Sequence, residues 1–290
     1  MATPSQWIEG ARPRTLPAAL SPVIAGTALA TYDDELVWWK ALLALVVALA
    51  LQVGVNYAND YSDGIRGTDD ERVGPLRLTA TRLATPNAVK RAAFLALGVA
   101  GVAGLVLAAT TAWWLVAVGL ACMLAAWFYT GGSKPYGYAG LGEVAVFVFF
   151  GLVAVIGTYD VQAEAWSWTA LVIAVALGAI ICAINLTNNL RDIPTDTASG
   201  KRTLAVILGD HSTRLLYAGL IAVAAVAVVP LAAATTWWVL VALLFTVVAR
   251  PALRAVLGGA VGPALIPALG ATGKATLAWA VLVAVPLVLA

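Results

Sequence analysis

Amide and acidic side chains follow one long apolar run at regular spacing. Asn56, Asp60 and Asp63 lie at positions i, i+4 and i+7, where an apolar run near residues 38–58 ends. If the run continues as a helix through about residue 63, this spacing puts all three side chains on one face. Two carboxylates and an amide oxygen form a hard, oxygen-rich site of the kind that Mg²⁺ prefers. The pattern therefore predicts a magnesium site at a helix end.

A second set of side chains repeats this pattern later in the chain. Asn185, Asn189, Asp192 and Asp196 are spaced i, i+4, i+7 and i+11, which again is one helical face, although Pro194 must end or bend the helix. Both sets close an apolar run. We interpret them as two halves of an internal pseudo-repeat, with Asp loops at 56–77 and 185–204, that face each other at the same depth.

Basic side chains accompany both acidic sets. Carboxylates alone would repel an anion, but Mg²⁺ ions between the two sets would reverse that sign and hold a diphosphate. Arginine can then make bidentate contacts with the remaining phosphate oxygens. The candidates for these contacts are Arg66, Arg72, Arg77, Lys201 and Arg202. The alternative interpretation is that they are solvated loop charges.

A loop rich in glycine and tyrosine, residues 129–143, is the third feature. Its glycines permit close approach of the backbone to a ligand. Tyr129, Tyr136 and Tyr138 could line a site where positive charge develops, because ring faces attract cations. The alternative is a glycine-rich turn with interfacial tyrosines. Glu143 is expected in the first turn of the next helix, where the helix N-terminus favours its charge.

The composition indicates the kind of fold that positions these side chains. Of the 290 residues, 62% are hydrophobic and only 11% are charged, and the mean hydropathy is +0.91. Soluble domains have about 45–50% apolar and about 25% charged residues, so the composition excludes a soluble globular protein, a disordered chain and a disulfide scaffold. Cys122 and Cys182 lie in apolar runs and are expected to be packing residues, and the single His211 excludes a multi-histidine metal site.

The apolar runs predict an all-α, polytopic membrane bundle of nine transmembrane helices in a single domain over residues 1–290. The runs lie near residues 15–31, 38–58, 88–110, 113–129, 141–159, 167–187, 213–234, 236–249 and 274–290. With the N-terminus inside, every Lys and Arg except Lys40 falls on one face, which the positive-inside rule makes cytoplasmic. Both Asp loops then face the cytoplasm and the C-terminus lies outside. Tryptophans at 38–39, 113–114, 166, 168 and 237–238 mark the outer interface.

These loops resemble those of the UbiA superfamily of intramembrane aromatic prenyltransferases, and in particular the MenA branch, which prenylates 1,4-dihydroxy-2-naphthoate in menaquinone synthesis. The resemblance covers nearly the whole chain. It includes residues 11–17, the first loop through Arg77, the loop 129–142, and residues 188–204. The superfamily's first motif has a third Asp at the position of Gly67, whereas here acids follow at Asp69 and Asp70. Its second motif often begins with acids, where this chain has Asn185 and Asn189.

The resemblance implies a specific reaction in the cell membrane. A polyprenyl diphosphate would place its diphosphate between the Asp loops with Mg²⁺, which we expect as two ions. Ionisation of the C–O bond would leave an allylic cation, which the naphthalenediol attacks with loss of CO₂ to give demethylmenaquinol. The metal would stabilise the leaving diphosphate, the closed apolar site would exclude water, and the lipid bilayer would receive the polyprenyl tail. No nucleic acid is expected as a partner.

The expected site residues fall into four groups. The expected metal ligands are Asp60, Asp63, Asp192, Asp196, Asn56 and Asn189, and Asp69 and Asp70 are further candidates. The expected diphosphate contacts are Arg66, Lys134, Lys201, Arg202, Asn185 and Asn188. The acceptor carries a carboxylate, for which Arg72 or Arg77 is preferred over Arg12 and Arg14. Tyr129, Tyr136 and Tyr138 are expected to line the site of the allylic cation.

Three other functions compete with this interpretation. A member of the same superfamily acting on 4-hydroxybenzoate, homogentisate or haem would use the same diphosphate site, and only the acceptor loops argue against it. A CDP-alcohol phosphotransferase carries its acids in one contiguous motif, whereas here they are divided between two loops. A transporter places its ion site near the bilayer midplane on broken helices, whereas these acids lie at one membrane face.

Overall fold

The computed structural model describes residues 2–67 and 76–290, which form helices joined by short connections, with no β-strand in those ranges. The helices are α1 (Pro4–Gly10), α2 (Pro17–Tyr32), α3 (Trp38–Arg66), α4 (Pro86–Thr110), α5 (Trp114–Phe128), α6 (Gly142–Ala163), α7 (Trp168–Ala198), α8 (Leu204–Ala234), α9 (Trp237–Leu257) and α10 (Gly262–Leu289). Short 3₁₀ turns lie at Pro13–Thr15 and Tyr136–Ala139. The prediction of an all-α fold is confirmed.

Seven helices in the described ranges are long and apolar enough to cross a membrane. They are α3, α4, α6, α7, α8, α9 and α10. The apolar helix α5 has 15 residues and α2 has 16, which is short of the roughly 20 residues that a straight span needs. A multi-pass membrane protein is therefore confirmed, and the count of nine spans stays a prediction.

The two helices that carry the Asn/Asp sets extend well beyond their apolar stretches. Helix α3 continues through Arg66 and ends at Gly67, whose positive φ of 71° suits a helix C-cap. Helix α7 does not end at Pro194 but continues to Ala198. Thr195 and Thr197 donate side-chain hydrogen bonds to the carbonyls of Asp192 and Ile193, at 3.0 and 2.7 Å, and so supply polar partners in this proline-containing turn.

The bundle is held together by close packing of small and aliphatic side chains. Helix α3 packs along α4, α7 packs along α8, and α10 packs against both α2 and α9. The main buried core is built from α2 and α6–α10. Within α6, Phe147–Val153 is a π-helical stretch, and a Cβ added at Gly151 would lie 2.7 Å from the Cα of Gly178. Small residues at this crossing therefore permit the close approach of α6 and α7.

The end of the bundle opposite the Asn/Asp sets is rich in exposed tryptophan. Trp38 begins α3 and is 71% exposed, and Trp168 begins α7 and is 72% exposed. At the same end, the buried Lys40 donates to Glu164 at 2.8 Å. Exposed indole rings at helix ends are typical of a membrane interface, and so the two Asn/Asp sets lie at the other membrane face.

Candidate active site

One cavity of about 960 Å³ joins a polar end to a long apolar arm. The polar end is lined by Arg12, Arg14, Asn56, Asn59, Asp63, Arg77, Thr130, Tyr138, Asn185, Asn188, Asn189, Arg191, Asp196 and Lys201. The apolar arm is lined by side chains of α3–α6, including Leu51, Leu107, Val118, Phe149 and Val161. Such a cavity suits a ligand with an ionic head and a long apolar tail.

The two acids of the first set have different surroundings. Asp63 is 2% exposed and lines the cavity. Its Oδ1 accepts a 2.5 Å hydrogen bond from the hydroxyl of Tyr138, and its Oδ2 lies 3.9 Å from Nη2 of Arg77. Asp60 is 1% exposed and is not a lining residue. Its two oxygens accept hydrogen bonds from the backbone N–H groups of Leu78 and Thr79, at 2.7 and 3.0 Å.

Asn56 connects α3 to the segment before α2. Its Nδ2 donates to the carbonyl of Ala11 at 2.8 Å and to Oγ1 of Thr15 at 3.0 Å. These bonds hold the segment that carries Arg12 and Arg14, and both arginines line the polar end of the cavity. Asn56 therefore lines the predicted site, with its amide N–H groups used to position the N-terminal segment.

The second set also places one acid at the cavity wall. Asp196 lines the cavity, and its Oδ2 accepts a 3.4 Å hydrogen bond from Thr203. Asp192 is buried and is not a lining residue. Arg191 binds it in bidentate fashion, with Nε–Oδ1 at 2.6 Å and Nη2–Oδ2 at 2.7 Å. Asp192 thereby holds the guanidinium of Arg191, which does line the cavity.

The three asparagines of α7 line the cavity, and two of them are bound by a buried acid. Glu143, in the first turn of α6, accepts hydrogen bonds from Nδ2 of Asn189 at 2.7 Å and of Asn185 at 3.1 Å. The hydroxyl of Tyr129 donates to Oδ1 of Asn185 at 3.3 Å. Asn185 thus has both ends of its amide engaged within the protein, whereas Asn188 lines the polar end at intermediate exposure.

The basic residues predicted to contact the diphosphate occupy different places. Lys201 is buried at the polar end, with Nζ 4.5 Å from the ring centroid of Tyr138. Arg66 is not a lining residue, and it donates to the backbone carbonyls of Thr130 and Gly132. Lys134 and Arg202 are exposed and do not line the cavity. Of these four residues, only Lys201 faces the cavity.

The three tyrosines of the loop 129–143 all line the cavity. The hydroxyl of Tyr136 donates to the carbonyl of Ala125 at 2.7 Å, and burial raises the pKa of Tyr136 to about 12. Burial, with a smaller contribution from the charge of Glu143, also raises the pKa of Tyr129. Both phenols therefore stay neutral at physiological pH and offer apolar ring faces. A Cβ at Gly137 would lie 2.6 Å from the carbonyl oxygen of Tyr129, so this fold of the loop requires glycine there.

Some of the predicted residues cannot be placed. Arg72, Asp69 and Asp70 lie outside the residues that the structure describes. In the ranges 2–67 and 76–290, no three His, Cys, Asp or Glu side chains form a group that could hold a metal ion by themselves. A cation at the polar end would therefore need amide, water or substrate oxygens in addition to the carboxylates of Asp63 and Asp196.

Three residues of this site were not predicted from the sequence. Asn59 lines the cavity and its Oδ1 accepts a 2.8 Å hydrogen bond from Thr130. Its spacing of i, i+4 with Asp63 was a usable signal. Arg191 is adjacent in sequence to Asp192, but bidentate pairing between neighbours has no spacing pattern. Glu143 was noticed, yet nothing in the sequence pairs it with Asn185 and Asn189.

Comparison with known proteins identifies the family. Residues 19–256 match the model of the UbiA prenyltransferase family.

The chain belongs to the UbiA prenyltransferase family.

Some relatives of this UbiA family member are similar over nearly its whole length. A protein of Mycobacterium tuberculosis named 1,4-dihydroxy-2-naphthoate octaprenyltransferase is 58% identical over 284 residues, covering 98% of this chain and 97% of that protein. The apo structure of a UbiA homolog from Aeropyrum pernix K1 has a TM-score of 0.70 at 13% identity, covering 93% of this chain and 97% of that chain. A UbiA homolog from Archaeoglobus fulgidus, bound to DMAPP and Mg²⁺, has a TM-score of 0.67 at 13% identity, covering 97% and 99%. These structures establish the fold.

Proposed function

We propose that this protein transfers a polyprenyl group from polyprenyl diphosphate to 1,4-dihydroxy-2-naphthoate with loss of CO₂, and so produces demethylmenaquinol for menaquinone biosynthesis. The name of the mycobacterial relative, at 58% identity, supports this acceptor. The observation that carries the proposal is a continuous cavity, which joins an ionic end to an apolar arm. Both substrates need the ionic end, because one carries a diphosphate and the other a carboxylate, and only the prenyl chain needs the arm.

The polar end fits Mg²⁺. Asp63 and Asp196 supply carboxylates, and Asn189 has its amide N–H directed to Glu143, which leaves its oxygen on the other side of the amide. Mg²⁺ commonly binds one or two carboxylates and completes its shell with water and phosphate oxygens. The archaeal relative was solved with DMAPP and Mg²⁺. Bound Mg²⁺, which we propose as two ions, would neutralise charge on the leaving diphosphate.

The basic residues at the polar end divide between the two anionic groups. We assign Lys201 and Arg191 to the diphosphate, because both are buried at the second set, on the same side of the cavity as Asp196. We assign Arg77 to the naphthoate carboxylate, because it lines the cavity beside Asp63. Arg12 and Arg14 reach the same end from the N-terminal segment and are the second candidates for the acceptor.

The apolar arm provides space for the prenyl chain and keeps water away from the allylic cation. Gly104, Gly119 and Gly157 line it, and a Cβ added at any of these positions would meet no atom within 4 Å. Ala44, Leu107 and Val161, which form a buried apolar cluster, also line the cavity. Tyr129 and Tyr136 line the same cavity, and we assign their rings to the stabilisation of positive charge on the prenyl group.

The membrane orientation is part of the proposal. We propose nine spans, with α2 and α5 completing the seven long helices, in one domain whose two halves are a pseudo-repeat. The N-terminus and both Asp loops would face the cytoplasm, and the C-terminus would lie outside the cell membrane. The distribution of Lys and Arg along the sequence supports this orientation, and so does the tryptophan-rich opposite end.

The experiment that tests the function is a transfer assay with the purified protein in lipid nanodiscs. It contains Mg²⁺, a labelled polyprenyl diphosphate and one acceptor at a time: 1,4-dihydroxy-2-naphthoate, 4-hydroxybenzoate or homogentisate. We expect a prenylated product and released CO₂ with the naphthoate, and no product when EDTA removes the metal. Faster transfer to either of the other two acceptors would identify a different member of the same superfamily.

A further inference from the structure

A buried carboxyl group outside the cavity wall connects the amides of the second set. Glu143 is 6% exposed and is not a lining residue. Its Oε1 accepts both amide hydrogen bonds, from Asn189 and Asn185. Its Oε2 is buried and has no hydrogen-bond partner among the described residues. Placing an acidic side chain within a membrane helix costs free energy, and such residues usually have a specific role.

The contact with Glu143 decides which way the two asparagine amides point. The oxygen and nitrogen of an asparagine amide are nearly the same size, so packing alone does not set their orientation. Oε1 accepts hydrogen bonds whether or not Glu143 is ionised, and therefore both Nδ2 groups must face it. The amide oxygens then lie on the far side. For Asn185 that oxygen accepts the hydroxyl of Tyr129, and Asn189 lines the cavity.

The start of α6 is packed tightly onto this group. A Cβ added at Gly142 would lie 3.1 Å from the hydroxyl oxygen of Tyr129 and 3.3 Å from Nδ2 of Asn185. The thiol of Cys182 also donates to the backbone carbonyl of Glu143 at 3.0 Å. Contacts with α7 and with Tyr129 therefore hold the start of α6 in place. A residue that orients other side chains needs such a fixed position.

We propose that Glu143 is a positioning residue, which fixes the amides of Asn189 and Asn185 so that Asn189 presents an oxygen, and not an N–H group, to the polar end of the cavity. The amide oxygen is a ligand for a divalent cation, whereas an N–H group would repel it. The proposal deepens the function proposed above, because it assigns this oxygen to the metal of that reaction. Residues that orient metal ligands typically affect metal affinity by about 10- to 100-fold.

The test measures cation binding directly on the full chain in detergent. Mn²⁺ affinity is determined by electron paramagnetic resonance in the presence of inorganic pyrophosphate, with thermal unfolding measured in parallel. We expect Glu143→Leu to weaken Mn²⁺ binding about 10-fold or more. Glu143→Gln, which keeps an acceptor oxygen, should stay within about threefold of wild type. Val144→Leu is the control, since Val144 is the next residue and is 57% exposed.

A reciprocal exchange covers the case in which Glu143→Leu does not fold. Asn189→Asp alone sets two carboxyl groups against each other and should weaken both Mn²⁺ binding and folding. Adding Glu143→Gln restores the hydrogen bond with its direction reversed, because the new amide at position 143 donates to the new carboxylate at position 189. The double variant should therefore bind Mn²⁺ at least about tenfold more tightly than Asn189→Asp alone. A double variant that is no better than Asn189→Asp would overturn the proposal, and so would a folded Glu143→Leu protein with wild-type Mn²⁺ affinity.

The two proposals can fail separately. If the wild-type protein binds Mn²⁺ with pyrophosphate and the variants follow the expected order, but no acceptor is prenylated, the positioning proposal stands and the proposed function is wrong. If the wild-type protein prenylates the naphthoate and Glu143→Leu changes neither Mn²⁺ affinity nor the KM of either substrate, the function stands and the positioning proposal is wrong.

Discussion

At the end of α3, Asp60 accepts hydrogen bonds from two backbone N–H groups, whereas at the end of α7, Asp192 is bound by the side chain of Arg191. The other acid of each set, Asp63 or Asp196, lines the cavity. Each helix end therefore has one carboxylate at the wall and one behind it. Helical spacing alone would give all four the same surroundings.

In both sets the acid behind the wall holds an arginine in place, by different means. Asp60 fixes the backbone of Leu78 and Thr79, directly after Arg77, and so holds the segment from which Arg77 reaches the cavity. Asp192 holds the guanidinium of Arg191 itself. Each set thus brings one carboxylate and one guanidinium to the polar end, beside Arg12 and Arg14 of the N-terminal segment. An acidic motif can therefore hold guanidinium groups at a cavity as well as offer carboxylates to it.

The largest expected effect is an all-or-none difference in the labelling of introduced cysteines. It tests whether both sets face the cytoplasm. Cysteines are introduced singly by Asp70→Cys, Ser199→Cys, Asp34→Cys and Thr235→Cys, after Cys122 and Cys182 have been replaced by Ala. The last two should react with an impermeant maleimide in intact cells, because they lie at the tryptophan-rich end. The first two should react only after permeabilisation. Labelling of Ser199→Cys but not of Asp70→Cys from outside would show that the two sets lie at opposite membrane faces and cannot form one site.

The next effect concerns the acids at the wall. Asp63→Asn and Asp196→Asn should each lower kcat by on the order of 100-fold or more. The reason is that a lost carboxylate weakens the binding of the metal ion, which stabilises the charge that develops on the leaving diphosphate by several kcal/mol. Steady-state kinetics at saturating Mg²⁺ provides the measurement. Asp34→Asn is the matched control, since Asp34 is exposed at the opposite end. Near-normal kcat in both wall variants would show that neither Asp63 nor Asp196 is needed to bind the metal.

The arginines should separate the two substrates. Arg77→Lys keeps the charge but loses the bidentate geometry, and a lost charge-assisted pair costs roughly 1.5–3 kcal/mol. We expect the KM for the acceptor to rise about 10- to 150-fold, at about 1.4 kcal/mol per factor of ten, with a smaller change for the diphosphate. Arg191→Lys should show the opposite selectivity. The same change is worth making at Arg72, whose sequence position beyond the first set makes it the other candidate for the acceptor carboxylate.

The kinetic test has a clear contrary outcome. Each substrate is varied in turn while the other is held at saturation. If Arg77→Lys raises only the KM for the diphosphate, Arg77 belongs with Lys201 in the phosphate site, and the proposed assignment of Arg77 to the acceptor carboxylate is wrong.

The sequence predicted much of this architecture but not the division within each set. The composition and the apolar runs correctly indicated a helical multi-pass fold. The helical spacing grouped Asp63 with Asn56 and Asp60, and Asp196 with the other residues of the second set. Spacing gives the face of a helix, but not what packs against that face. The partners of Asp60 come from the loop after α3, the partner of Asp192 is its sequence neighbour, and the partners of Glu143 come from α7. None of these partners has a signature in helical periodicity.

The smallest expected effect distinguishes the two acids behind the wall, and it concerns stability more than chemistry. In Asp60→Asn one carboxylate oxygen becomes an amide nitrogen, which would face a backbone N–H and leave a buried donor without an acceptor. In Asp192→Asn the bidentate partner of a buried guanidinium is lost. A hydrogen bond to a charged group contributes about 1.5–3 kcal/mol. We therefore expect both variants to unfold at lower temperature, with Asp192→Asn the less stable because the charge of Arg191 loses its bidentate partner.

Thermal unfolding of both variants, in the same detergent, measures this difference. Steady-state kinetics on the folded fraction of each variant then shows which substrate is affected. Asp60→Asn should raise mainly the KM for the acceptor, through the loosened segment of Arg77, and Asp192→Asn should raise mainly the KM for the diphosphate, through Arg191. Asp60→Ala is a useful companion, because it removes both acceptor oxygens and leaves the N–H groups of Leu78 and Thr79 unsatisfied, so it should be at least as destabilising as Asp60→Asn. If Asp60→Asn instead matches Asp63→Asn in its loss of kcat with unchanged stability, then Asp60 acts on the metal, as the helical spacing first predicted, and its bonds to Leu78 and Thr79 are incidental to turnover.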